Sequence, residues 1–155
     1  TPIVDLLDNT TTRMEEDSEV QPDAMVRRFS GGSSYVADDD YLEGPPELAV
    51  EVTGSTIVKD MEIKRRLYER EGVQEYLVWE VAAQRVHWWA LQAGAYVALP
   101  ADAAGIIRSQ VFPGLWLDVP ALLADDRARL VATAQQGVAS PEHAAFLAQQ
   151  TDTHA

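Results

Sequence analysis

The stretch Pro46–Gly72, "PELAVEVTGSTIVKDMEIKRRLYEREG", decides the fold. "ELAVEV" is a short β run bounded by Pro46 and Gly54, which reads as a central strand. Alternation puts Glu47, Ala49, Glu51 and Thr53 on one face and Leu48, Val50 and Val52 on the other. "GSTIVK" is a turn, and "DMEIKRRLYERE" is a helix with Asp60 as N-cap and Gly72 as its C-terminal stop. At about 100° per residue, Glu62, Arg65, Arg66 and Glu69 share a polar face of that helix. Lys64 instead falls between Leu67 and Tyr68, inside the apolar arc, with Asp60 one turn before it. A glutamate in an apolar strand and a lysine in an apolar helix face both cost free energy unless something compensates.

Upstream, "SEVQPDAMVRRF" reads as one strand, with Glu19, Gln21 and Asp23 on one side and Pro22 marking an edge or an end. The opening "TPIVDLLDNTTTRMEED" is weakly organised. "SGGSSYVADDDYLEGPP" reads as a loop whose acids, Asp38–Asp40 and Glu43, are solvated. Downstream, "VQEYLVWEV" and "RVHWWAL" are strands joined by a turn at Ala83–Gln84, and "QAGAYVAL" turns at Gly94. "IIRSQVFPGLWLDV" supplies another short strand and turn. "PALLADDRARLVATAQQG" is one amphipathic helix stopped by Gly137, and Ser140-Pro141 opens a last short helix. The expectation is an α/β (α+β) domain with one mixed sheet flanked by helices, spanning residues 1–155 with a helical tail at 138–155.

Asp23, Glu51 and Lys64 come from two strands and the following helix. Two converging carboxylates make a hard-oxygen site suited to Mg²⁺ or Mn²⁺, with the backbone carbonyl of Val52 as a further ligand. A neighbouring lysine would offset developing negative charge or position a water. Together these parts describe metal-assisted phosphodiester hydrolysis. Blander readings stand beside it. Lys64 paired with Asp60 or Glu51 could simply pin helix to strand, Glu51 could face solvent on a one-sided sheet, and Asp23 could be a turn residue.

The ordered strings "QPDAMV", "GPPELAVEV", "KDMEIKRRLYEREGVQEYLVWEV" and "RSQVFPGLWLDVPALL" resemble the Uma2 family, also called DUF820, restriction-endonuclease-like proteins of the PD-(D/E)XK superfamily. The likeness runs from about Glu19 to Leu123. It implies a PD-(D/E)XK nuclease-like fold with a central mixed sheet, Asp23 as the first metal-binding aspartate and Glu51 as the acid of the half-motif. Position 53, which holds the lysine in the standard pattern, is Thr53 here, and the resemblance implies that Lys64 replaces it, with Asp60 in support. Tyr68 and "GVQEY" match the remaining signature and read as structural. The N-terminal segment usual in the family has no match, so a shortened chain is expected.

The composition narrows the function. The 155 residues are 46% hydrophobic and 24% charged, as expected of a globular chain. Cysteine is absent, which excludes disulfides and thiolate metal sites. No apolar run approaches the ~20 residues of a membrane span, and no signal pattern opens the chain, so a cytoplasmic protein is expected. The net charge of −13 opposes a general nucleic-acid binder, although Lys59, Lys64, Arg65, Arg66 and Arg70 cluster within twelve residues. The three histidines show no metal-ligand spacing, and no P-loop or G-x-S-x-G appears. Trp88 and Trp89 face opposite ways, and an exposed one would point to a subunit interface such as a homodimer's. The leading expectation is a Mg²⁺- or Mn²⁺-dependent endonuclease acting on DNA. The alternative is an inactive nuclease-fold binding or regulatory module.

Overall fold

In the computed structural model, which describes residues 4–14, 18–29, 31–39, 41–54 and 58–152, the stretch around Glu51 is the hub of a mixed sheet. The chain forms two compact units, residues 1–98 and 99–155. In chain order the first contains β1 (Val4–Asp8), β2 (Thr12–Met14), β3 (Ser18–Val20), β4 (Ala24–Arg28), β5 (Tyr35–Val36), β6 (Leu42–Glu43), β7 (Leu48–Thr53), α1 (Val58–Glu71), β8 (Glu75–Glu80), β9 (Arg85–Gln92) and β10 (Ala95–Ala98).

Six of these strands pair in the order β1-β4-β7-β8-β9-β10. The β7–β8 pair is parallel and the others are antiparallel. A parallel pair needs a crossover, and α1 supplies it. The helix ends where Gly72 adopts φ +83°, the left-handed conformation that glycine reaches without strain. Register sets the rows of side chains across one face. Met25, Ala49, Tyr76 and Trp89 lie in one row, and Glu51, Val78 and His87 in the next. Met14, Ala49, Tyr68, Val73, Tyr76 and Val78 form the core on this side, with Met61, Trp89 and Tyr96 packed against it. β2, β3, β5 and β6 form a separate small sheet in the order β3-β2-β6-β5.

Several expectations change. The opening segment carries two strands, β1 and β2, and the expected loop carries β5 and β6. "SEVQPDAMVRRF" is two strands in different sheets, because buried Pro22 has no N–H to continue a ladder. Asp39 and Glu43 are not simply solvated: both pair with Arg13, at 2.7 and 3.4 Å. The arginine beside it holds the Asp39 carboxyl below the usual range. Asp60 lies inside α1 rather than capping it. Trp88 is buried and donates its indole N–H to Glu75 at 3.0 Å, while Trp89 packs on the core. Neither is an exposed aromatic that would mark an interface.

The second unit contains β11 (Ile106–Arg108), β12 (Trp116–Asp118), α2 (Val119–Leu123), α3 (Arg127–Val138) and α4 (Pro141–Asp152). The two strands form an antiparallel pair. The expected long helix is two, each started by an aspartate. Asp118 accepts from the Ala121 N–H and Asp126 from the Arg129 N–H. Gly137 lies within α3 and does not stop it. Ser140 accepts from the His143 N–H at 3.2 Å and starts α4, as expected. No helix among the described residues is long and apolar enough to cross a membrane.

Candidate functional site

Glu51 stands on the helix-covered face of β7 and is 8% exposed. Its Oε1 accepts from the Lys64 amine at 2.8 Å and from the Tyr68 hydroxyl at 3.1 Å. Lys64 and Tyr68 are one helical turn apart, so a single face of α1 delivers both donors. This is why a lysine interrupts the apolar arc: it meets the carboxylate that interrupts the apolar strand. Tyr68 is fully buried, and burial first, then the Glu51 charge, drives its hydroxyl's ionisation upward.

Asp23 reaches the same region from the next strand. The β4–β7 ladder ends at Ala24–Val50, and one residue earlier the Asp23 carboxylate takes over. Its Oδ2 accepts from the Val52 N–H at 2.6 Å. Within an extended residue the N–H and C=O point to the same side, so the Val52 carbonyl also faces the Asp23 edge. The Val52 side chain lies on the opposite face, 46% exposed. Thr53 is on the Glu51 face, opposite Glu80. The backbone of Asp60 belongs to α1, but its side chain lies outside the described residues, and with it the expected contact to Lys64.

The donor set suits a hard cation. Asp23 and Glu51 each commit one oxygen to the protein, and among the described residues the other oxygen takes no protein donor. Two carboxylate oxygens and a backbone carbonyl match an ion such as Mg²⁺, which keeps several of its own waters. No group of three or more His, Cys, Asp or Glu side chains that could hold a metal occurs among the described residues, so such an ion would rely on this pair and the carbonyl.

Two parts of the neighbourhood were not legible as functional. Tyr68, read as structural, holds the central carboxylate. His87, one of the three histidines without metal-ligand spacing, has Nε2 2.7 Å from Glu80 Oε1 and its ring stacked on Trp89, with centroids 5.2 Å apart. The sequence signal was present, since Glu80 and His87 face one way on strands joined by a short turn. It needed the register to become readable.

The residues that build this geometry lie within the span of a family match. The chain matches the Uma2 family, described as "Putative restriction endonuclease", over residues 4–120, and it belongs to that family. It is similar to a crystal structure from Anabaena variabilis described as "a putative nuclease belonging to DUF820". That likeness has a TM-score of 0.60 at 14% identity, covering 79% of this chain and 69% of the other, and it concerns the fold. No curated protein matches the chain.

Proposed function

We propose that the chain is a divalent-metal-dependent endonuclease that hydrolyses DNA phosphodiester bonds. The observation that carries this reading is the Glu51 carboxylate clamped by Lys64 and Tyr68 beside Asp23, within a chain of the Uma2 family. Asp23, Glu51 and the Val52 carbonyl would hold Mg²⁺ or Mn²⁺. When bound, the cation supplies Lewis-acid polarisation of the phosphoryl oxygen and a more acidic water. Lys64 brings an ammonium group to the shared carboxylate, where it orients the attacking water and offsets charge growing on the phosphate. Tyr68 fixes the Glu51 rotamer, and Asp23 fixes the end of β7 through Val52. Asp60 would support Lys64, and Thr53 the strand end. Cutting both strands of a duplex calls for two such sites, so a homodimer acting on DNA in the cytoplasm completes the proposal.

The test is cleavage of supercoiled plasmid DNA with Mn²⁺ or Mg²⁺. Nicking that disappears with EDTA and falls by about 100-fold or more in Lys64→Ala and Asp23→Asn is expected. DNA binding without cleavage under any cation would overturn the enzyme reading in favour of a binding or regulatory module.

A further inference from the structure

Three tyrosines, Tyr68, Tyr76 and Tyr96, pack in the core under the candidate site. Two have acceptors for their hydroxyls. Tyr68 donates to Glu51 at 3.1 Å and Tyr96 to the Val73 carbonyl at 2.8 Å. Tyr76 is fully buried, and its hydroxyl has no hydrogen-bond partner among the described residues. Buried hydroxyls are rarely left this way, and an orphan in a native core points to a bound water or ion. The ring cannot swing out to find an acceptor. It is held between Tyr68, Trp89 and Tyr96, with centroids 4.8, 5.7 and 6.3 Å away.

The register says what lies near the orphan. Tyr76 pairs with Ala49, whose next neighbour on the same face of β7 is Glu51. Beyond Ala49 lies Met25, and two residues before Met25 is Asp23. After burial, the charges that most oppose ionisation of the Tyr76 hydroxyl are those of Glu51 and then Asp23. A phenol donor without a partner therefore sits close to two carboxylates, each with one oxygen uncommitted among the described residues. One water molecule placed between them would satisfy all three groups. It would accept from the phenol and donate one hydrogen to each acid.

We infer that Tyr76 is a positioning residue of the site, its buried hydroxyl donating to a water held between the Asp23 and Glu51 carboxylates. This rests on the reading that those two acids hold a cation, and it adds the residue that orders solvent around it. The phenol takes no part in bond making. It fixes a water that the cation needs to complete its oxygen shell, without adding charge to an already anionic pocket.

The test compares Tyr76→Phe with Tyr96→Phe. In cation-free buffer, an orphan hydroxyl with no role predicts that Tyr76→Phe is unchanged or more stable. A hydroxyl anchoring a water predicts a fall in Tm of about 2–4 °C. Mn²⁺ binding, followed by electron paramagnetic resonance, is expected to weaken about 10-fold in Tyr76→Phe and to stay unchanged in Tyr96→Phe. An unchanged or raised Tm, or equal Mn²⁺ affinity in Tyr76→Phe and wild type, overturns the inference. The parent reading fails separately: Asp23→Asn and Glu51→Gln would then leave Mn²⁺ binding intact. That outcome removes the inference as well, by a different measurement.

Discussion

The Lys64 amine lies 2.8 Å from Glu51 Oε1, joining a lysine side chain that is 42% exposed to a glutamate side chain that is 11% exposed. The asymmetry decides what each substitution does. Removing one partner of a buried pair is expensive, whereas surface pairs contribute little. Water reaches Lys64, so Lys64→Ala should cost about 1–2 kcal/mol, between those limits. Glu51→Gln keeps an acceptor for Tyr68 and leaves Lys64 free to hydrate, so its stability should lie within about 1 kcal/mol of wild type. Both variants should lose metal-dependent cleavage. Denaturant unfolding alongside plasmid nicking checks the pair, and activity lost only in proportion to stability would reduce Lys64 to a structural tie.

Asp23 carries a structural duty as well as its proposed ligand role, because it accepts from the Val52 N–H at 2.6 Å. Asp23→Ala removes that acceptor at the end of β7 and should cost about 0.5–1.5 kcal/mol. Asp23→Asn keeps a carbonyl acceptor and should restore most of that loss while binding Mn²⁺ poorly. A thermal melt and a metal titration on the two variants separate the duties. Equal instability in both would show that the negative charge itself holds the strand end.

The strand and helix of Pro46–Gly72 were legible because their two periodicities are strong and both end in glycine. The Glu51–Lys64 meeting was one of the pairings those faces left open, beside Lys64 with Asp60, and the 2.8 Å contact selects it. What was not legible depends on partners distant in sequence. β1 is an edge strand whose Leu6 is 71% exposed, so burial imposes no apolar pattern on it. The break between β3 and β4 turns on Pro22, whose neighbours belong to different sheets. The rows linking Tyr76 to Glu51, or His87 to Glu80, exist only once register is known, and a shift of one residue would reverse every face.

Glu80 gives a prediction in acid. Its carboxyl is held below its ordinary value of 4.5, first by His87, at 2.7 Å, and then by Arg85, at 3.3 Å, against an opposing effect of burial. The folded chain therefore binds this proton more weakly than the unfolded chain. The resulting stabilisation is complete above about pH 4.5 and is lost as pH falls through the depressed value. Asp39, Glu62 and Asp102 shift the same way, so Glu80→Gln should flatten only part of the acid limb. Stability measured from pH 7 down to pH 3 checks it, and an identical slope in the variant would mean that the Glu80–His87 contact does not form in solution.

Gly137 tests the packing of the second unit. Although helical, it would place an added Cβ 2.2 Å from the Gly114 carbonyl oxygen and 3.0 Å from the Trp116 ring. Alanine is the better helix former by about 0.8–1 kcal/mol, so propensity alone predicts that Gly137→Ala stabilises α3. The contact predicts the reverse, because a backbone oxygen at that distance cannot move aside as a flexible side-chain tip would. Overpacking of this kind costs about 1–3 kcal/mol or more, enough to outweigh the propensity gain. Gly137→Ala should therefore lower the unfolding midpoint, while Gln136→Ala, at an exposed neighbouring position in the same helix, should change it little. Measured side by side, a more stable Gly137→Ala would mean that α3 does not press on the Gly114 turn as closely as described.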